Sequence, residues 1–236
     1  CYFLPGVDDG AQTLEQALDL ARLSVADGIE HAVLTPHIHP GRYDNDLDSL
    51  QAPFQRFSEA LVDADIPLTI SLAAEVHCTP ELLQMIPQQQ IPFIGEYRGE
   101  SVLLLEFPHA QIPVGSDKLV TWLRNQQVLP LIAHPERNKS VLRDLSVIEP
   151  FVKLGCLLQV TAGSLVGGFG PACQQVAEEL LRRGWVSVLA TDAHNSRHRP
   201  PRMTAGHHAA IDIVGPQAAE ALVWGMPRQL LGLTGV

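Results

Sequence analysis

The stretch Val186-Ser-Val-Leu-Ala-Thr-Asp-Ala-His194 decides the fold, because it joins an apolar run to two side chains that bind metals. Residues 186–190 are apolar nearly throughout, which is typical of a parallel strand covered on both faces. Asp192 and His194 follow this run directly. Active sites of parallel barrels lie at the carboxyl ends of their strands, so the stretch predicts a buried strand that leads into a site.

The same order, an apolar run followed by a histidine or a carboxylate, recurs along the chain and alternates with helical patterns. Thr13-Leu-Glu-Gln16 has the form of a capping box, and the helical spacing after it ends at Gly28. This alternation predicts an α/β fold with a parallel sheet. The predicted strands are Ala32–Thr35, Leu68–Ala74, Val102–Leu105, Leu131–Ala133, Leu157–Val160 and Val186–Thr191. The further predicted helices are Leu47–Val62, Lys118–Gln126, Ser146–Leu154, Cys173–Arg183 and Gln217–Leu231.

The 236 residues, of which 46% are hydrophobic, suit one α/β barrel as well as two small domains. We see no repeat or interdomain linker, and we expect a single domain over residues 1–236. A seventh strand should precede Cys1, so we expect the sequence to be cropped at its first strand.

The formal net charge of −10 argues against a nucleic-acid partner or an anionic membrane, since both require a basic surface. The four cysteines have neither paired spacing nor the density of a disulfide-stapled secreted domain, which favours a reducing cytoplasm. No apolar run approaches the ~20 residues that span a bilayer.

Metal-ligating side chains follow almost every predicted strand. A mixture of imidazoles and carboxylates suits Mn, Zn or Fe, and several carboxylates can bridge two or more ions. The pattern therefore predicts one shared metal site, with the identity of the metal left open. The residues within about three positions of a strand end are His37, Glu75, Glu106, His134, Asp192 and His194.

The sequence gives less support for metal binding by the other histidines. His31 precedes a strand and His207 and His208 lie in a helical pattern, so a solvated or structural role is expected for them. His39 and His109 lie on loops at the carboxyl ends of predicted strands. For these two histidines, a role in the metal site and a structural role both remain open.

Arg137 and Arg199 also follow strand ends, and guanidinium groups bind phosphate oxygens in bidentate fashion. Metal ions beside them would stabilise a phosphoryl transition state, which predicts hydrolysis of a phosphate ester. The alternative is that both arginines pair with local acids such as Glu136 and Asp144.

The sequence offers no other catalytic group of comparable strength. The serine-hydrolase elbow G-x-S-x-G is absent, and no cysteine lies in a phosphate-cradling loop. The Gly-rich stretch 162–170 lacks nucleotide-binding spacing and is predicted to be a flexible loop. Hydrolysis by a metal-activated water is what remains.

Short motifs follow one another along the chain from Leu4 to Pro201: Leu4-Pro-Gly-Val-Asp-Asp-Gly10, Thr35-Pro-His37, Tyr43-Asp-Asn45, Ala74-Glu75, Glu106, His134-Pro-Glu-Arg137, Asp192-Ala-His-Asn195 and Arg199-Pro-Pro201. These motifs resemble the manganese-dependent protein tyrosine phosphatases of the polymerase and histidinol phosphatase (PHP) superfamily, which belong to bacterial capsule and exopolysaccharide clusters. The resemblance implies a distorted TIM-like barrel of about seven parallel strands. It also implies two to three Mn²⁺ ions, with Fe or Zn as alternatives, and dephosphorylation of tyrosines on a bacterial polysaccharide-assembly kinase.

Position by position, the resemblance assigns Arg137 and Arg199 to phosphate binding. A metal-bound hydroxide would attack phosphorus, while His39 or His194 would protonate the leaving phenolate. The implied metal ligands are Asp9, His37, Glu75, Glu106, His134, Asp192 and His194.

One departure concerns Tyr2. The family opens with Asp-x-His-x-His, and this chain has Tyr2 at the position of the second histidine. A phenol, with a pKa of about 10, is a poor substitute for imidazole at neutral pH. Either one metal is weakened or lost, or Tyr2 is an oxygen ligand or an engineered change.

Two other functions remain open from the sequence. The first is a phosphoesterase of the same superfamily that acts on a small molecule such as a sugar phosphate or histidinol phosphate, which a deep pocket would favour. The second is a non-catalytic phosphotyrosine-binding regulator, which Tyr2 would favour and which predicts binding without turnover.

Overall fold

The computed structural model describes residues 1–233 and divides them into two compact units. The first unit comprises residues 1–94 and 191–203, and the second comprises residues 95–190 and the described residues from 204 onward. The expectation of a single domain over residues 1–236 stays a prediction.

The first unit contains two pairs of parallel strands. β1 pairs with β3, and β2 pairs with β4 in a register that sets His37 opposite Glu75. Its apolar core forms around Phe3, Leu34 and Phe57, which are fully buried. Its elements are α1 (Leu14–Ala26), β1 (His31–Leu34), β2 (His37–Ile38), α2 (Leu47–Asp63), β3 (Thr69–Leu72), β4 (Glu75–His77) and α3 (Leu82–Met85).

Both predicted strands of the first unit are followed by a second short strand that was not predicted. β1 corresponds to the strand expected over 32–35 and β3 to the strand expected over 68–74, and β2 and β4 each begin after a gap of two residues. Pro36 lacks a backbone N–H and cannot donate to a strand ladder. Its carbonyl accepts from the N–H of Glu75 at 3.1 Å. His37 and Glu75 therefore lie at the start of a new strand pair.

The predicted start of α1 is confirmed in part. The Thr13 side chain accepts from the Gln16 N–H at 3.3 Å, as a capping residue does. A full capping box would also have the Gln16 side chain accept from the Thr13 N–H. It accepts from the Gln12 N–H instead, at 2.8 Å.

The second unit is built on four parallel strands in the order β6-β7-β8-β9, with β5 antiparallel to β6. Residues 102–105 and all of β7 are buried, which confirms strands covered on both faces. The strands are β5 (Glu96–Tyr97), β6 (Glu100–Glu106), β7 (Val128–Ala133), β8 (Leu157–Thr161) and β9 (Val188–Ala190). The helices are α4 (Ser116–Asn125), α5 (Lys139–Arg143), α6 (Glu149–Lys153), α7 (Pro171–Arg182), α8 (Thr204–Val214), α9 (Pro216–Glu220) and α10 (Met226–Leu230). Short 3₁₀ helices cover Pro135–Arg137, Leu145–Ile148 and Ala162–Val166.

Three elements of the second unit differ from the prediction. The stretch 162–170, expected as a flexible loop, begins with a 3₁₀ helix over Ala162–Val166. The helix expected over 146–154 divides into a 3₁₀ helix and α6, since Pro150 suits a first helical turn. The helix expected over 217–231 is interrupted by a π-helical turn over Ala221–Gly225.

The α/β class and the parallel pairing are confirmed, while closure of the strands into a distorted barrel stays a prediction. Among residues 1–233, no helix combines the length and apolar character needed to cross a membrane.

Candidate metal centre

Three predicted ligands converge in the first unit. One potential ligand atom from each of Asp9, His37 and His194 lies within 4.8 Å of the other two. Asp9 Oδ1 is 3.4 Å from His37 Nε2 and 3.8 Å from His194 Nε2. Two imidazoles and a carboxylate around one point are a donor set that fits Mn, Fe or Zn.

The protonation states of this cluster also suit a metal. The neighbouring His37 lowers the pKa of Asp9 to about 2, by hydrogen bonding and by charge, although partial burial opposes the shift. Burial lowers the pKa of His194 to about 4. At neutral pH Asp9 is therefore a carboxylate and His194 a neutral imidazole, which are the forms that bind metal ions.

Backbone contacts fix which nitrogen of His194 faces Asp9. Nδ1 of His194 lies 2.9 Å from the carbonyl oxygen of Asp192, so it carries the proton and donates. Nε2, the nitrogen nearer Asp9, then has the free lone pair. This is the common arrangement of metal-binding histidines, in which a second hydrogen bond sets the tautomer.

Asp8 connects the loop that carries Asp9 to the start of β2. Its carboxylate is buried and accepts from the N–H groups of Gly10 and His37, both at 2.9 Å. Burial raises the pKa of Asp8, while these two N–H groups act in the opposite direction. This role of Asp8 was not predicted from the sequence, although Asp8 belongs to the matching motif Leu4–Gly10.

Glu75 lies next to the cluster on β4. Its side chain is 1% exposed, and its Oε1 is 3.9 Å from Nδ1 of His37. A buried carboxylate is stabilised by a neighbouring cation or by hydrogen-bond donors. A metal ion would be such a cation.

Tyr2 packs against both imidazoles. Its ring centroid is 3.7 Å from that of His194 and 4.7 Å from that of His37, and its side chain is 1% exposed. Its backbone N–H donates to Ala193 O at 3.0 Å. A Cβ atom on Gly10 would lie 2.1 Å from Tyr2 O, so only glycine allows this approach. Tyr2 thus occupies the interior of the site.

The motif Tyr43-Asp-Asn45 also supports His37. The Tyr43 ring stacks on the His37 ring with centroids 5.6 Å apart. The Asn45 amide donates to His37 O at 2.8 Å and to Val7 O at 3.0 Å. The motif therefore orients a predicted ligand.

Arg199 forms a short ion pair with Asp192, through Nη2 and Oδ2. The Arg199 carbonyl also accepts from the His194 N–H at 2.9 Å. Asp192 has a φ of 52°, a conformation uncommon outside glycine and found often at functional sites. Arg199 does pair with an acid, but that acid is Asp192, a predicted ligand, rather than Glu136 or Asp144.

The second unit holds the remaining predicted ligands. His134 Nε2 lies 3.7 Å from Glu106 Oε1, and His134 also has a positive φ, of 32°. The Arg137 guanidinium carbon lies 4.7 Å from the ring centroid of Phe169. Within their own unit, Glu106 and His134 are thus brought together, as predicted.

The histidines left open take different positions. His39 follows His37 by two residues, and its ring stacks on that of His77 with centroids 3.9 Å apart. His109 lies between β6 and α4, and its carbonyl accepts from the Lys139 N–H at 3.0 Å. His31 Nε2 lies 2.9 Å from the Ser71 hydroxyl, and His207 and His208 lie on α8. The full set of seven ligands stays a prediction.

The chain is similar in sequence to a known family and to proteins named as phosphatases. Residues 1–232 match a family model described as capsular polysaccharide synthesis, CpsB/CapC. The chain is 30% identical over 199 residues to the tyrosine-protein phosphatase YwqE of Bacillus subtilis, covering 84% of this chain and 77% of that protein. It is 24% identical over 234 residues to the tyrosine-protein phosphatase CpsB of Streptococcus pneumoniae, covering 95% and 93% of the two chains.

The fold is similar to a solved structure as well. A crystal structure from work on YwqE of Bacillus subtilis and CpsB of Streptococcus pneumoniae, described as unique metal-dependent tyrosine phosphatases, superposes with a TM-score of 0.91. The identity is 27%, and the match covers 100% of this chain and 94% of the other.

Proposed function

The chain belongs to the CpsB/CapC family of capsular polysaccharide synthesis, and from that premise we propose that it is a metal-dependent protein-tyrosine phosphatase. The observation that carries the proposal is the cluster of Asp9, His37 and His194, with ligand atoms within 4.8 Å of one another. Asp9 and His194 are in their metal-binding protonation states at neutral pH.

We assign two to three Mn²⁺ ions to the site, with Fe or Zn as alternatives. A divalent ion held by such ligands lowers the pKa of a water molecule and neutralises charge on a phosphoryl group. The proposed ligands are Asp9, His37, Glu75, Glu106, His134, Asp192 and His194.

Arg137 and Arg199 would bind the phosphate oxygens of the substrate. A guanidinium group offers two parallel N–H donors, which match two oxygens of a phosphate. Arg199 is held in place by Asp192, and Arg137 by the ring of Phe169. Both side chains would then bind substrate with little loss of conformational freedom.

His39 is the better candidate for the acid that protonates the leaving phenolate. His194 has a pKa of about 4 because it is buried, so it holds no second proton to give at neutral pH. Its Nδ1 proton is already donated to Asp192 O. His39 is only partly buried and stacks on His77.

The proposed substrate is a phosphotyrosine on a bacterial tyrosine kinase of capsule or exopolysaccharide assembly. Relatives named tyrosine-protein phosphatase support the phosphotyrosine, and the family description supports the pathway. Within residues 1–233 no disulfide bond joins the cysteines, which is consistent with action in a reducing cytoplasm.

The test compares substrates on protein loaded with Mn²⁺: a phosphotyrosyl peptide, the matching phosphoseryl peptide, histidinol phosphate and a sugar phosphate. We expect kcat/KM for the phosphotyrosyl peptide to exceed that for each other substrate by about 100-fold, a ratio within the reach of binding discrimination. Preference for a small phosphate ester would replace the proposal by the small-molecule phosphoesterase. Tight peptide binding without turnover would replace it by the regulator.

A further inference from the structure

We propose that Glu136 is a positioning residue that holds Arg137 in its phosphate-binding orientation through residues 161–169. This inference rests on the proposed function, because it takes Arg137 to be a phosphate ligand. Glu136 itself would touch neither substrate nor metal.

Glu136 is unusual because it is a carboxylate that is completely buried. Its side chain is 0% exposed, and its Oε1 accepts from the Ser164 hydroxyl at 2.7 Å and from the Thr161 N–H at 3.1 Å. Oε2 is buried and has no hydrogen-bond partner among residues 1–233. Desolvating a carboxylate is costly, so a purely structural site would be filled more cheaply by an apolar side chain.

The neighbour of Glu136 contacts the same segment at its other end. Arg137 stacks on Phe169, with 4.7 Å between the guanidinium carbon and the ring centroid. The turn Pro135–Arg137 is therefore attached twice, through Glu136 to Thr161 and Ser164 and through Arg137 to Phe169. Movement of Ser164 would be passed to Phe169 and from there to the guanidinium group.

Two close backbone contacts restrain the segment between these attachments. The Gly168 N–H donates to Gly163 O at 2.9 Å, and a Cβ atom on Gly168 would lie 2.9 Å from the same oxygen. A Cβ atom on Gly206 of α8 would lie 2.5 Å from Ala162 O. At these two points the backbones have little room to shift.

The first test is the variant Ser164→Ala, which removes one of the two donors to Glu136. The matched control is Ser24→Ala, since Ser24 is equally buried and its hydroxyl donates to Leu20 O within α1. Calorimetry with inorganic phosphate on Mn²⁺-loaded protein measures the site without turnover, and bound manganese is counted in each variant. We expect Ser164→Ala to weaken phosphate binding about tenfold and raise KM, with manganese unchanged. Ser24→Ala should change neither quantity.

A second set of variants distinguishes positioning from a general loss of structure. Phe169→Leu changes a partly buried residue and should reproduce the loss, whereas Glu136→Gln keeps an acceptor oxygen and should retain most of the affinity. In an Arg137→Ala background, Ser164→Ala and Phe169→Leu should have no further effect, because interacting residues are not additive. Full additivity, or unchanged affinity in both variants, would overturn the inference.

The two proposals fail in different ways. If the wild-type protein binds inorganic phosphate through Arg137 but hydrolyses no phosphotyrosyl peptide, the proposed function fails and the calorimetry still decides the role of Glu136. If Arg137→Ala leaves phosphate affinity unchanged, the role of Glu136 fails even in an active enzyme.

Discussion

Nδ1 of His194 lies 2.9 Å from the carbonyl oxygen of Asp192, and this contact decides which nitrogen of the imidazole is available. Because Nδ1 donates its proton there, Nε2 offers its lone pair towards Asp9 Oδ1, 3.8 Å away. Two residues of the motif Asp192-Ala-His194 thus cooperate, one by its backbone and one by its side chain. In the proposed site, this arrangement would orient His194 for metal binding.

Replacing His194 by alanine should remove one ligand of the central cluster. We expect His194→Ala to lower Mn²⁺ affinity by at least about tenfold, in line with other losses at metal sites. Titration with Mn²⁺ and elemental analysis measure the change. His31→Ala serves as the control, since His31 bonds to Ser71 outside the cluster. Equal metal affinity in both variants would remove His194 from the ligand set.

Replacing Arg137 by alanine should remove charge stabilisation of the transferred phosphoryl group. We expect kcat/KM for a phosphotyrosyl peptide to fall by ~10²- to 10³-fold, as for other lost donors to a developing anion. The control is Arg183→Ala, because Arg183 also stacks on an aromatic ring, that of Trp185, and pairs with Glu179 on the surface. Unchanged kcat/KM in Arg137→Ala would contradict the assignment.

Tyr2 should limit the metal content of this chain. Its ring packs on His37 and His194, at the position where the resemblance to the PHP phosphatases implies a histidine. We expect Tyr2→His to add an imidazole ligand and to raise Mn²⁺ affinity or the number of bound ions. Tyr2→Phe keeps the ring and should leave both unchanged. If Tyr2→Phe loses metal, Tyr2 is an oxygen ligand instead.

Cys156 should make the protein sensitive to alkaline pH. Burial raises the pKa of its thiol from 9.0 to about 12. Between these values the unfolded chain loses a proton that the folded chain keeps, so the free energy of unfolding should fall with rising pH. For one proton the slope is about 1.4 kcal/mol per pH unit. Below pH 9 this stabilising contribution is fully present.

Urea unfolding at a series of pH values from 8 to 10.5 checks this. The loss of stability above pH ~9 should be shallower in Cys156→Ala than in the wild type. Parallel curves for the two proteins would show that another group is responsible.

The sequence allowed most strands to be located, because short apolar runs such as Val102–Leu105 are typical of buried parallel strands. It also predicted candidate ligands at the strand ends, where parallel folds gather side chains. It did not predict β2, the short strand that follows Pro36. The hairpin of β5 and β6 was missed because β5 has only two residues.

Contacts that depend on tertiary packing were not predictable in the same way. Asp8 and Asp9 are consecutive residues of the same turn. Asp8 accepts hydrogen bonds from backbone N–H groups, whereas Asp9 faces the imidazoles. The stacking of Tyr2 on His194 and the burial of Glu136 likewise arise from residues distant in sequence. No local pattern distinguishes these partners.

The most direct test of the account is phosphate release from a phosphotyrosyl peptide by protein whose bound metals have been counted, with added Mn²⁺ and with or without a chelator. The account predicts turnover with Mn²⁺, loss of turnover with the chelator, and recovery when Mn²⁺ is restored. Turnover that persists after the metals are removed, or no turnover with the metals bound, would contradict it.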